Sequence, residues 1–393
     1  MDFKKNKSHS GLFLLRLFVV LSVIALISIL VFTGCEFGQV TEEEPGTSEP
    51  GGEEETVEEE AAEEETVEEE NGNEVGGTEI TGNINILSGL EISDTVLDSR
   101  PLAIMVENTP DARPQSGLIY ADIIFEVVDE YGVTRYVVVY SSYDAEIVGP
   151  VRSARIYYAE IARSFDPIYA FWGTYTEAYK AIDDLGLDVL TPLGDQSGNS
   201  SIAANSNSGW RDYNRSAITE HTAFMSTIAL KEEAGNIGYS LEGGQSPLRF
   251  KLDADISDRG DTSNIAIDFS DQSAYETYFE YNEEENVYYK YQAGIQHTDY
   301  ETGQQITVSN VIVMITNIEG PIDASGHMVV RTTGARDIGK AFFFMDGKVV
   351  EGTWERASAF DPFLYRDDEG RIMLFNTGST WVAITQDSGR LTY

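Results

Sequence analysis

Between Glu36 and Ile80 the chain carries 19 glutamates and neither lysine nor arginine. This run limits the fold more than any other feature, because a segment with so little to bury cannot offset its ordering entropy and its like charges repel. Two copies of Glu-Glu-Glu-Thr-Val-Glu-Glu-Glu, at 53–60 and 63–70, make it a low-complexity repeat. Residues 35–83 are therefore read as a disordered, Glu-rich tether with a reach of roughly 40 Å. The 313 residues from 81 to 393 hold 22 bases against 47 acids and are enough for two domains, each with its own core. The whole chain, at a net charge of −41, lacks the Lys/Arg surplus that nucleic-acid binding needs. Its single cysteine excludes an internal disulfide.

That cysteine closes a leader. Lys4, Lys5 and Lys7 precede an apolar stretch from Leu12 to Phe32, broken only by Arg16, which runs into Thr33-Gly34-Cys35. A basic start, an apolar middle and small residues at the end form a secretory leader. The small residues before Cys35 resemble the bacterial lipobox, so residues 1–34 are expected to be removed and Cys35 to be lipidated. The alternative is an uncleaved membrane span, since about 20 apolar residues can cross a bilayer. Either way the rest is displayed outside the cytoplasm, with the basic start inside.

Residues 84–245 read as an α/β domain. Pro101 to Glu107 is a buried strand, and Ala121 to Glu130 and Val133 to Tyr140 form a hairpin across Tyr131-Gly132. Helices are expected over Ala154 to Phe165, capped by Ser153, over Tyr175 to Leu185, and from His221 to about Ala234. Ile168 to Trp172 and Leu187 to Leu190 add strands, giving an α/β sandwich with a mixed sheet. The loop Gly194 to Tyr213 is long for a connection, and Gly235 to Pro247 reads as an interdomain linker. From 246 to 393 the helical period disappears. Strand candidates there include Ala266 to Phe269, Tyr275 to Tyr281, Val287 to Gln292, Thr307 to Ile315, Lys340 to Met345, Lys348 to Glu355 and Thr380 to Thr385. Turns at Asn282 to Asn286, Asp346-Gly347 and Asp367 to Gly370 separate some of them. This half is expected to be an all-β sandwich or small barrel, with Tyr288, Tyr289, Phe342, Phe343, Phe344, Trp354 and Trp381 in its core.

Two features carry candidate chemistry. If the first hairpin has an even loop, Glu130 faces Val133, Val128 faces Arg135 and Glu126 faces Val137, and Asp122, Glu126, Glu130 and Arg135 share one face. An odd loop shifts the register by one and destroys the cluster. The second feature is Gly149-Pro-Val-Arg-Ser-Ala-Arg155. Arg152 and Arg155 at a helix start oppose the macrodipole, so an anion is expected there: an external carboxylate or phosphate, or Glu126 or Glu130. His221 is a candidate proton carrier. His297 and Asp299 form a weak metal pair without a third ligand. No cofactor motif, phosphate loop, zinc signature or nucleophile elbow is present.

The runs Arg100 to Asn108, Ala112 to Leu118, Ala121 to Glu126, Gly132 to Arg135 and Gly149 to Arg155 are similar to the YerB-like lipoproteins of Gram-positive bacteria. The later stretches His297 to Gly303, Ser309 to Val313, Gly352 to Trp354 and Gly378 to Trp381 resemble that family's C-terminal part. The chain departs from the family pattern at Thr109 and at Glu220-His-Thr222. The resemblance implies a lipid-anchored protein of the cell envelope, built on a two-part domain of unknown function. Combined with the residues, it leads to the expectation of a non-catalytic protein that binds an anionic ligand, peptide or envelope partner through Arg135, Arg152, Ser153, Arg155, Glu126 and Glu130. The alternative is a cell-wall hydrolase or transferase using Glu126, Glu130 and His221 in acid–base work.

Overall fold

The computed structural model describes residues 77–92, 99–216, 218–333 and 337–393. The expected leader, Cys35 and the expected tether up to residue 76 lie outside the described residues. The last stretch assigned to the tether is docked. Glu79 bridges to Lys251, and the Ile80 amide donates to the Phe250 carbonyl at 2.8 Å.

Three strands make the centre: β1 (Leu102–Glu107), β2 (Ile123–Val128) and β3 (Thr134–Tyr140). Every side chain on them is buried, as befits a sheet covered on both faces. Strands β4 (Ile168–Ala170) and β5 (Asp188–Leu190) extend the sheet in parallel beyond β1. Helix α1 (Ile156–Arg163) buries Tyr157, Tyr158 and Ile161, and α2 (Thr176–Asp184) buries Ala178, Tyr179 and Ile182. Helix α3 (Thr227–Ile237) is capped by Ser226, whose hydroxyl accepts from the Ala229 amide, and ends at Gly238 in the left-handed region.

The second half supplies β6 (Asn264–Asp268), β7 (Glu276–Asn282), β8 (Val287–Gln292), β9 (Asn310–Ile315), β10 (Asp337–Met345), β11 (Lys348–Arg356), β12 (Leu364–Asp367), β13 (Thr380–Thr385) and β14 (Leu391–Thr392). Antiparallel hairpins dominate, and the expected turns are present. Asn286, Asp346 and Gly347 adopt positive φ, and a Cβ at Gly347 would come within 2.4 Å of the Gly260 carbonyl.

The largest sheet crosses the 245/246 division. Its order is β12-β11-β10-β9-β13-β2-β3-β1-β4-β5, and the junction is a parallel pairing of β13 with β2 from Ile123↔Thr380 to Val127↔Ile384. The two halves thus share one mixed sheet, where the sequence suggested separate cores. Strands β6, β7, β8 and β14 form a second, antiparallel sheet together with the short strands Ile295–Gln296 and Thr307–Val308, both paired to β8. It covers one face of the first, where Ile265, Phe279 and Tyr288 pack in the same core as Ile124, Tyr136 and Trp381. The opposite face packs Met105, Phe125, Val127 and Val137 against α1, Trp354 and Phe363.

Several boundaries differ from expectation. Helix α1 begins at Ile156 with Arg155 in the capping position, so Ser153 is not its cap. His221 sits on a short 3-10 turn, Thr219–His221, and α3 starts six residues later. The expected linker is packed rather than free, with the Arg100 amide donating to the Leu241 carbonyl at 2.8 Å and the Gln245 amide to the Phe165 carbonyl at 3.1 Å.

Candidate functional site

The hairpin register decides the site. Strands β2 and β3 pair as Glu126↔Tyr136, Val127↔Arg135 and Val128↔Thr134, one residue away from the register that would have gathered Glu126 and Arg135. The loop between the last paired residues is odd in length, because Tyr131 and Gly132 both take positive φ and swing the chain around Glu130. Since strand side chains alternate, the shift sends Glu126 and Arg135 to opposite faces. The expected single cluster is therefore two.

The first cluster lies where β1, β2 and β3 end beside α1. Glu107 is directly paired with Arg135 across β1 and β3. Arg135 Nη1 meets Asp129 Oδ2 at 2.7 Å and donates to the Ser153 carbonyl at 3.3 Å, and its Nη2 lies 3.8 Å from Glu130. Arg155 grips Glu130 through Nε and Nη2, the latter at 2.8 Å, and approaches Asp129 at 3.4 Å. Arg152 Nε binds Glu107, and its Nη2 lies 3.4 Å from Glu220. Tyr157 donates its hydroxyl to Asp129 at 2.8 Å. Asp129 and Glu130 supply the negative charge that Arg155 before a helix N-terminus requires, so the internal-anion reading applies to Arg155. His327 closes the outer side, 3.8 Å from Glu130, stacked on Tyr175 with ring centroids 4.2 Å apart.

Electrostatics separate the two neighbouring acids. Burial pushes the Asp129 carboxyl up, but Arg135 and Arg155 overcome it and hold the group below the usual carboxylate range. Burial raises Glu130, Arg155 offsets part of this, and the adjacent Asp129 leaves the net shift upward. Asp129 is thus the permanent anion of the pair. Arg135, enclosed by Asp129 and Glu107, is held above its ordinary value despite burial.

The outer edge of this cluster is less tightly held. Glu220, the second partner of Arg152, is 66% exposed. Its neighbours Thr219 and Thr222 accept from Arg211, whose guanidinium lies 4.7 Å from the centre of the Trp172 ring. Among the described residues Arg211 has no carboxylate partner. Trp172 and Ser153 also line a cleft of about 480 Å³ whose far wall is the loop from Pro192 to Ser197.

The second cluster lies on the opposite face. Glu126 is fully buried and accepts from Asn108 Nδ2 at 3.2 Å, Thr134 Oγ1 at 2.9 Å and Thr277 Oγ1 at 2.8 Å. Behind it Lys290 donates to Gln292 Oε1 at 2.6 Å and sits 4.5 Å above the Trp381 ring. Burial lowers Lys290 to about 7, against the opposing pull of Glu126. His297 shares a 2.7 Å hydrogen bond with Gln115, and burial with the nearby Lys290 and Arg113 charges drives its ring well below the usual histidine range. Asp299 accepts from the Gly117 amide at 2.6 Å and from the amides of Glu301 and Thr302. His297 and Asp299 therefore serve separate hydrogen bonds, and among the described residues no acid, His or Cys cluster has the makings of a metal site.

Family models match the chain in two consecutive segments: the N-terminal domain of a protein of unknown function (DUF3048) over residues 87–240, and its C-terminal domain over residues 265–382. The "Putative lipoprotein YerB" of Bacillus subtilis (strain 168) is 30% identical over 308 residues, 77% of this chain and 86% of that protein. The chain belongs to the YerB-like family. The crystal structure of the YerB protein from Bacillus subtilis matches at a TM-score of 0.67 and 28% identity, covering 79% of this chain and 98% of that one. The N-terminal family segment carries the arginine cluster, and the boundary between the two segments falls within one continuous sheet.

Seen in this YerB-like framework, the sequence candidates divide clearly. Arg135, Arg152, Arg155, Ser153 and Glu130 come together, whereas Glu126 does not join them. His221 is buried with its Nδ1 unpartnered, and among the described residues it hydrogen-bonds to neither glutamate. Glu107, Asp129, Arg211, Glu220, His327 and Lys290 were missed. Lys290 had a signal: in Val287-Tyr-Tyr-Lys-Tyr-Gln292, alternation puts it on the buried side with Tyr288 and Gln292. His327 had none, since it approaches Glu130 from almost two hundred residues away in the chain.

Proposed function

We propose that this YerB-like chain is a lipid-anchored, non-catalytic binding protein on the outer face of the plasma membrane. In this reading the leader is removed before Cys35, the Cys35 thiol carries the lipid, and the Glu-rich segment spaces the folded part from an anionic surface. The folded part binds an anionic group of an envelope protein or cell-wall ligand. Arg135 and Arg155 are positioning residues locked by Asp129 and Glu130; Arg152, helped by Arg211, makes the contact beside Ser153 and Trp172.

The observation that carries this reading is the edge at Arg152. Its inner partner, Glu107, is buried, but its outer partner, Glu220, is a mostly exposed acid whose hold contributes little and which an incoming anion can displace. The separation of Glu126 from Glu130 weighs against the hydrolase or transferase alternative, because its two carboxylates cannot serve one reacting centre.

Two measurements test it. Mass spectrometry of the membrane-extracted chain should find Cys35 as the first residue with a lipid adduct that Cys35→Ser removes; an unmodified chain that keeps residues 1–34 would sink the lipid anchor. Calorimetric titration of the full chain with a triglutamate peptide should show binding that Arg152→Gln weakens by about tenfold, the effect of one charge-assisted contact. An unchanged affinity, or none in the parent chain, sinks the anion site.

A further inference from the structure

A second cleft, of about 350 Å³, opens at the seam between the two family segments, on the opposite side of the sheet from Arg152. Arg113 and Pro114 come from the loop after β1, Ala274 from the 3-10 turn before β7, Gln292 and Ile295 from the second sheet, and His297 from the residue after the strand Ile295–Gln296. Its chemistry is that of an apolar slot with a cation at one end. Arg113 donates through Nε to Asn108 Oδ1 at 2.9 Å, through Nη2 to the Asn108 carbonyl at 2.6 Å and through Nη1 to the Ala274 carbonyl at 2.8 Å. All three acceptors are neutral, and among the described residues no carboxylate lies within 4.0 Å of this guanidinium. Donor capacity remains, since a guanidinium carries five N–H groups. In a part of the chain where acids outnumber bases two to one, an uncompensated arginine is conspicuous.

The second observation is His297. It lines the cleft and is 3% exposed; Nε2 donates to Gln115 Oε1, which leaves Nδ1, buried without a hydrogen-bond partner, as an acceptor suited to an incoming N–H. The third is the rim. Ile295 is 72% exposed, and the strand Ile295–Gln296 is the outermost of its sheet, with one backbone edge open. An open edge accepts an added strand through main-chain hydrogen bonds.

We propose that this cleft takes the free carboxyl end of an extended peptide whose last side chain is small and apolar. The carboxylate rests on the Arg113 guanidinium, a backbone N–H of the peptide meets His297 Nδ1, the terminal side chain packs on Pro114 and Ala274, and the preceding backbone runs along Ile295–Gln296. This is a site separate from the Arg152 edge and does not depend on it.

The test is calorimetric titration of the full chain with N-acetyl-valyl-valine as the free acid, with the same dipeptide as its C-terminal amide, and with pentanoate. The free acid is expected to saturate one site, with the amide and pentanoate each at least about tenfold weaker, the loss of one charge-assisted contact or of the backbone pairing. Arg113→Gln should reduce the acid to the level of the amide. Ile295→Asp, at an exposed side chain that leaves the fold intact by thermal melting, should also abolish binding by placing a like charge at the rim. Arg152→Gln should leave it unchanged. Equal affinity for acid and amide, pentanoate binding as tightly as the dipeptide, binding that survives both cleft substitutions, or no binding of any probe would each overturn the proposal.

Discussion

The two faces of the β1–β3 sheet hold polar clusters built from adjacent residues of the same strands, yet they solve burial differently. On the α1 face three arginines meet three carboxylates, Glu107, Asp129 and Glu130, at the strand ends where solvent still reaches Arg152. On the other face Glu126 is satisfied by neutral donors from Asn108, Thr134 and Thr277, and the nearest lysine loses much of its hold on its proton. Charges can be kept inside a fold by pairing them or by surrounding them with hydrogen bonds. The paired face keeps a partly exposed edge at Arg152, the edge proposed to receive an anion. The other face is a support deep between two sheets.

If that contrast is right, removing one member of the paired face should be the more damaging change. Asp129→Ala strips Arg135 of its 2.7 Å partner and Tyr157 of its acceptor, leaving a buried guanidinium short of charge. A loss of about 3 kcal/mol or more in urea-unfolding stability is expected; a loss under about 1 kcal/mol would show that Glu130 alone suffices and would break the comparison. A smaller effect, dependent on pH, should appear at Lys290. Its folded value, about 7, lies below its unfolded value, so the charged form is disfavoured in the fold. Stability from this group is fully present only above the unfolded value and is lost as pH falls through about 7. Lys290→Met should therefore stabilise the chain more at pH 6 than at pH 9.5, by a difference on the order of 2 kcal/mol. A difference of zero or of opposite sign between the two melting series would mean that Glu126 keeps Lys290 charged, as on the paired face.

Part of the site was legible before the fold. Arg152 and Arg155 stood out because two bases before a helix demand an anion, and both found one. The hairpin was legible too, including its turn at Tyr131-Gly132. Its register was not. A run such as Ile123-Ile-Phe-Glu-Val-Val128 is apolar on both faces, so alternation carries no preference for one pairing over the next, and the choice rested on loop length alone. Two consecutive positive-φ residues made that loop odd, and Glu126 changed sides.

Local signals alone, turn residues and β-branched and aromatic runs, determined where most strands of this YerB-like chain lie, that its second half is built of sheet, and which aromatics, Tyr289 apart, fill the core. What only the tertiary structure decided is which strands meet. The parallel pairing of β13 with β2 joins residues some 250 positions apart, and no periodicity encodes a partner at that distance. It is set by the mutual fit of two doubly buried surfaces, and with it the shared sheet, the seam that holds Arg113 and His297, and the division of one expected site into two.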